Sequence, residues 1–187
     1  MQNIASRRII LCPINDEDIP ILHTFRNREN FISFCTHRNK NISLEEFRKE
    51  LQDDFSRDRH FQCLIVRKRD NASIGTIFSY SYNPQDKYAF VTTFIDDNFR
   101  RAGYGAEAIV LFSYFLFSQF ALYKIYIDVY EYNSASLSAI IGSGIFQKEG
   151  IFKKQKLVDK KRFDVIRFAL YRRSIKKLSD FLEKLGK

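Results

Sequence analysis

The chain has 187 residues, 45% of them hydrophobic, and carries 31 Lys+Arg against 22 Asp+Glu for a formal net charge of +9. That length supports one domain with a substantial core, so residues 1–187 are read as a single domain. The charge is uneven: Met1–Phe152 holds 18 basic and 18 acidic residues, whereas Lys153–Lys187 holds 13 against 4, so the whole excess lies in the last stretch. A basic stretch of this kind is more often a solvated face than a nucleic-acid footprint, which argues against a nucleic-acid partner. No apolar run reaches the roughly 18 residues of a membrane span, because Ile109–Leu122 is interrupted by Ser113, Ser118 and Gln119. The N-terminal stretch lacks the apolar core of a signal peptide. Cys12, Cys35 and Cys63 are odd in number and far apart, as for reduced thiols in a cytoplasmic protein. Neither they nor His23, His37 and His60 have metal-ligand spacing, so no metal is expected. The 19 Phe and 10 Tyr, with no Trp, predict an aromatic-rich interior.

In chain order, Ile9-Ile10-Leu11 reads as a first strand, and the acidic start Asn15–Asp18 caps a helix running to about Asn30. Ser43-Leu44-Glu45-Glu46 is a capping-box pattern that opens a second helix. Phe61–Val66, Ile74–Tyr80 and Tyr88–Ile95, separated by polar turns, form an antiparallel meander. The segment from Gly105 to Phe120 is apolar on nearly all sides, which predicts a buried helix, and Lys124–Val129 returns as a strand. Strand, helix and strand in that order make a crossover, so the sheet turns parallel there. A short helix over Ser134–Ile141 follows, then a hairpin of Phe146–Leu157 and Phe163–Tyr171 around Asp159-Lys160-Lys161. A last helix after Ser174 carries Ile175, Leu178, Leu182 and Leu185 on one face. The expected fold is α/β (α+β), with a mixed central sheet of about seven strands, an antiparallel N-terminal meander and flanking helices. Its core spans about 7–172 and its C-terminal amphipathic helix about 174–186.

The stretch Phe94–Ala108 carries the chemistry. An apolar run ends, a polar and basic turn follows, Gly103 and Gly105 sit two apart, and a helix begins. The first N–H groups of a helix have no intrahelical acceptor and sit at the positive end of its dipole, so they can hold a phosphate. Glycines let the backbone turn tightly and approach closely. Gly103-x-Gly105-x-x-Ala108 imitates a dinucleotide fingerprint, but seven residues, Asp96 to Ala102, separate Ile95 from Gly103, where that fingerprint follows its strand almost at once.

Read as Arg100-x-x-Gly103-x-Gly105, the stretch resembles motif A of the GCN5-related N-acetyltransferase superfamily. Val129-x-x-x-Asn133-x-x-Ser136 with Gly144 and Glu149-Gly150, Arg162-Phe163-Asp164-Val165 near the end, and Arg8-x-x-Leu11-x-Pro13 near the start are similar to the branch that acetylates ribosomal-protein N-termini and spermidine. The resemblance covers about residues 7–172. It implies acetyl-coenzyme A as co-substrate and a primary amine as acceptor: a protein N-terminus, a polyamine or an amino sugar. It implies that main-chain groups of Thr93, Phe94 and Ile95 run along the pantetheine arm and that Asn133 bonds to it. The loop Arg100, Arg101, Ala102, Gly103, Tyr104, Gly105 and Ala106 would hold the pyrophosphate. A homodimer is also implied, which the apolar stripe of the last helix would allow. The general acid many members carry, a Tyr seven residues after the Asn, is Ile140 here, and Thr92 and Thr93 stand where a strand glutamate often acts as base. Ser136 is the replacement acid by resemblance, and Glu131, beyond a strand end, is a second catalytic candidate; Tyr132 and Glu107 are weaker ones. The +9 charge argues mildly against a polycation as acceptor unless acidic groups cluster locally. With the usual acid and base missing, a non-catalytic coenzyme A-binding or basic nucleic-acid-binding module on the same fold is the alternative.

Overall fold

The computed structural model describes residues 4–35 and 40–185. Eight strands form one sheet in the order β1-β2-β3-β4-β5-β6-β8-β7. They are β1 (Ile4–Ala5), β2 (Ile9–Pro13), β3 (Arg59–Arg67), β4 (Ala72–Asn83), β5 (Tyr88–Ile95), β6 (Lys124–Tyr130), β7 (Gln147–Val158) and β8 (Lys161–Tyr171). Seven match the expected strands. The eighth, β1, is two residues paired antiparallel to β2, too short to show any alternation in sequence. All neighbours are antiparallel except β5 and β6, which run parallel where the crossover helix joins them. Asp159 and Lys160 turn the β7–β8 hairpin with φ of 46° and 64°, the left-handed pair that suits a two-residue hairpin turn.

One face of the sheet is covered by α1 (Ile19–Arg26), α2 (Glu29–Cys35) and α3 (Leu44–Arg57). Their Leu22, Phe25, Phe31, Phe47 and Leu51 pack with Leu64, Phe78 and Phe94 of the sheet. The single helix expected to run to about Asn30 is two, because Asn27 ends α1. Its amide bonds the main chain of Ile42 in both directions, at 2.9 and 3.0 Å, which ties the break to a distant loop. The capping box at Ser43 forms as expected: its Oγ accepts from Glu46 N, and the Glu46 carboxylate accepts from Ser43 N.

The other face is covered by α4 (Tyr104–Gln119), α5 (Ser134–Ser143) and α6 (Ile175–Leu185). Ala108, Val110, Leu111, Phe112, Leu116 and Phe117 of α4 are all buried, as its all-round apolar sequence requires. Leu178 of α6 is fully buried in the same cluster, and Ile175, Phe181 and Leu182 pack against it. The apolar stripe of the last helix is therefore used within the chain, against α4, and is not left for a second copy. The side chain of Leu185 lies outside the described residues.

Candidate active site

The site is built where β5 and β6 part. They pair only over Tyr88–Phe90 and Lys124–Tyr126, and beyond that the strands diverge. On its other edge β5 stays paired to β4 as far as Ile95, and Asp96 N donates to Ile74 O at 2.9 Å. Main-chain groups alternate along a strand, so those of Thr93 and Ile95 turn the other way, into the gap. Cys35 Sγ, donating to Thr93 O at 3.6 Å, lies on that open side.

The loop that follows is shaped by local charge and two glycines. The buried Asp96 accepts from Asn98 N and from Arg28 Nε at 3.2 and 3.1 Å, while Asp97 pairs with Arg100 at 3.3 Å. Arg101 has φ 61°, and Gly103, the residue before α4, has φ 80°. The first helical bond runs from Glu107 N to Gly103 O, which leaves the N–H groups of Tyr104, Gly105 and Ala106 without intrahelical acceptors. A Cβ at Gly105 would meet Ile95 Cγ1 at 3.4 Å, an ordinary contact, so the start of α4 packs directly beside the end of β5.

A cavity of about 670 Å³ fills the gap between this loop, the ends of β5 and β6, and α5. Thr93, Phe94, Ile95, Arg100 and Arg101 line it, as do Gly103, Tyr104, Gly105, Ala106, Asn133 and Ser136. Ala102 does not line it; its carbonyl accepts from Arg8 Nη1 at 2.9 Å. Asn133 caps α5, its Oδ1 accepting from Ser136 N at 3.3 Å. Ile140, at the position of the missing Tyr, is buried against Ile127, Val129 and Phe168.

Glu131 stays apart from the rest. It is exposed, does not line this cavity, and accepts from Asp164 N at 3.0 Å while its own N–H donates to Asp164 O. It clamps the end of β6 to β8. Glu107 faces away from the cavity as well, fully buried and bound by Ser6 Oγ at 2.6 Å and by Arg8 Nε and Nη2 at 2.7 and 2.6 Å. Tyr132 donates its hydroxyl to Ser33 O at 2.7 Å.

A second cavity, of about 440 Å³, opens on the opposite face of the sheet, under α1, α2 and α3. Its walls include the aromatic Phe78, Tyr80 and Phe90, and each of its arginines is matched to a carboxylate. Arg26 meets Glu50 and Arg59 meets Asp54, each at 2.7 Å, and Arg167 binds both Asp128 oxygens at 2.8 Å. The Arg167 guanidinium lies 4.6 Å from the Phe90 ring and 4.7 Å from that of Phe152. Burial pushes the Tyr80 hydroxyl up to about 12. Phe34, Cys35, Thr92, Asp128 and Tyr130 line both cavities, so the two meet through the parted strands.

A family model described as an acetyltransferase (GNAT) domain matches residues 8–145. The chain belongs to this family. Membership in this family makes the chain an N-acetyltransferase. Similar solved structures include a RimL ribosomal L7/L12 alpha-N-protein acetyltransferase in complex with coenzyme A, with a TM-score of 0.79 and 20% identity over 91% of this chain and 98% of that one. A spermidine N-acetyltransferase from Vibrio cholerae, in complex with CoA and spermine, has a TM-score of 0.79 and 17% identity over 90% of this chain and 98% of that one. A GCN5-related N-acetyltransferase from Brucella melitensis has a TM-score of 0.78 and 18% identity, covering 98% and 84%. No curated protein matches the chain in sequence. Among the described residues no group of His, Cys, Asp and Glu could hold a metal ion, and His37 lies outside them. Nor is any described helix long and apolar enough to cross a membrane.

Proposed function

We propose that the protein transfers an acetyl group from acetyl-coenzyme A to a primary amine by direct attack in a ternary complex, with the donor in the first cavity and the acceptor in the second. The observation that carries this reading is the meeting of the two cavities through the parted β5 and β6. A thioester lying in the gap would be reached by an amine from the opposite face without either leaving its site. The donor fits the residues present: unbonded N–H groups at the start of α4 and the Arg101 side chain suit a pyrophosphate. The main-chain edge of Thr93 and Ile95, which no strand pairs, suits the amides of pantetheine, and Asn133 lines the same cavity. The donor supplies an activated acyl group, and the N–H of Ile95 is placed to stabilise the oxyanion that forms on it.

The acceptor is a monoamine, such as a protein N-terminus or an amino sugar. A polyamine needs carboxylates free to meet its extra charges. Here Glu50, Asp54 and Asp128 are each held by an arginine, and Asp58 accepts from Ser81 N and Oγ, both at 2.9 Å. Calorimetry with acetyl-coenzyme A, followed by thiol release across a panel of N-terminal peptides, amino sugars and spermidine, tests both parts. Binding with turnover of a monoamine is expected. Absence of binding, or binding without turnover of any amine, would overturn the enzyme reading, and spermidine as the best acceptor would overturn the acceptor reading.

A further inference from the structure

The proton for the departing sulfur has no evident source, because the Tyr that many family members use is Ile140 here and Ser136 lines only the donor cavity. Whatever serves must reach the place where donor and acceptor meet. Among the five residues common to both cavities, Phe34 has no proton to give. Cys35 already commits its Sγ–H to Thr93 O. Asp128 has both oxygens engaged by Arg167 at 2.8 Å, so neither is turned toward the junction. An aliphatic hydroxyl such as that of Thr92 is a far weaker acid than a phenol.

Tyr130 remains, and its surroundings suit the task. It stands at the last position of β6, one residue past Val129, whose side chain is buried on the α5 side. Alternation along the strand therefore turns Tyr130 to the acceptor side. Its ring is held from two sides: Lys156 Nζ sits 4.7 Å from the centroid, and the Tyr132 ring stacks at 5.5 Å. The hydroxyl makes no hydrogen bond to any described residue, in contrast to that of Tyr132. Burial, followed by the nearby Tyr132 hydroxyl, keeps it protonated well above the usual phenol range.

We infer that Tyr130 is the residue through which the proton reaches the leaving sulfur; this rests on the acetyltransferase reading above. As the N–C bond forms and the C–S bond breaks, the C–S electron pair goes to sulfur together with the Tyr130 hydroxyl proton. The new amide nitrogen, strongly acidic at that moment, gives up its proton to the phenol oxygen, directly or through a water. Amine plus thioester becomes amide plus thiol, and the tyrosine is restored without accumulating as tyrosinate. That relay agrees with a phenol that holds its proton tightly.

Tyr130→Phe keeps the ring, its stacking and its ammonium contact, and a thermal melt checks that the variant folds. Two measurements decide. In calorimetry with coenzyme A and with desulfo-coenzyme A, the variant should bind coenzyme A about threefold to tenfold more weakly, the worth of one hydrogen bond to the sulfur, and desulfo-coenzyme A as tightly as the parent does. In turnover with the best amine, kcat should fall about 100-fold while KM for acetyl-coenzyme A stays within about threefold. A kcat within about threefold of the parent, or an unchanged preference for coenzyme A over its desulfo form, overturns the role of Tyr130 and leaves the acetyltransferase reading standing. A parent protein that turns over no amine overturns both.

Discussion

Removing Arg8 tests how the loop before α4 is held. The residue precedes β2, far from the loop in sequence, yet its guanidinium binds Glu107 through Nε and Nη2 and the carbonyl of Ala102 through Nη1. Glu107 has none of its side chain exposed, whereas Arg8 is 35% exposed. Arg8→Ala leaves a buried carboxylate with Ser6 Oγ and the main-chain N–H of residue 8, at 2.6 and 3.4 Å, as its remaining donors. Orphaning one partner of a buried pair costs about 3–5 kcal/mol, and the partial exposure of Arg8 places this case at the lower end, about 3 kcal/mol. For 187 residues the unfolding entropy is about 0.4 kcal/mol/K, so the melting temperature should fall by about 8 °C. In the Arg8→Ala background, Glu107→Gln removes the uncompensated charge and should recover at least half of that loss, a coupling a double-mutant cycle reads directly. Loss of the charge-assisted bond to Ala102 O should also weaken acetyl-coenzyme A by about tenfold in calorimetry, since it frees the loop before α4. A fall in melting temperature under about 2 °C, with the double variant no better than the single, would refute the argument that Glu107 depends on Arg8.

Gly103→Asp should leave the fold intact, because Asp tolerates the left-handed conformation at φ 80°, and should weaken acetyl-coenzyme A more than about 100-fold by placing an anion at the start of α4. Calorimetry checks it, and an affinity within about fivefold of the parent would count against a phosphate at this loop. Gly75→Ala would put a Cβ 2.1 Å from Phe94 O, forcing β4 from β5 beside the donor edge. A loss of about 3 kcal/mol in denaturant unfolding is expected, together with weaker donor binding. His60, stacked on Tyr82 at 4.3 Å with its Nδ1 buried, has its pKa lowered by burial from the ordinary 6.5. The unfolded chain then takes up the proton first, so this contribution to stability is complete above about pH 6.5 and is lost as pH falls from there toward the folded-state value. Melting at pH 7.5 and 5 should show the loss, and His60→Phe should diminish it.

What could be read from the sequence was local. The glycine turn into α4, the capping box at Ser43 and the hairpin around Asp159-Lys160-Lys161 each depend on residues within a few positions of one another, and each is present in the fold. The break between α1 and α2 could not be read, because it is tied to the bonds of Asn27 with Ile42 and of Arg28 with Asp96, partners 15 and 68 residues away. Most of the basic stretch is exposed, as a solvated face would be, but not all of it. Arg167 is bound to Asp128, and Arg172 donates to the carbonyls of Phe120 and Leu122, so part of the excess charge holds the C-terminal hairpin and α6 to the sheet.

The catalytic positions show most clearly where sequence reasoning stops. Tyr130 and Glu131 are neighbours at the end of β6, and a carboxylate near a strand end is the more familiar candidate. Val129 supplied the local signal: a side chain buried toward α5 requires its successor to face the other way. That successor faces a cavity only because β8 pairs Tyr130 with Val165, β7 brings Lys156 over its ring, and α2 brings Cys35 and Phe34 to the same junction. Glu131 meanwhile is drawn to the Asp164 main chain by that same pairing. A register slip of one residue between β6 and β8 would exchange the two faces. The environment of Tyr130 is therefore set by four separate segments, whereas the glycine turn into α4 is built from one, which is why a motif could reveal it.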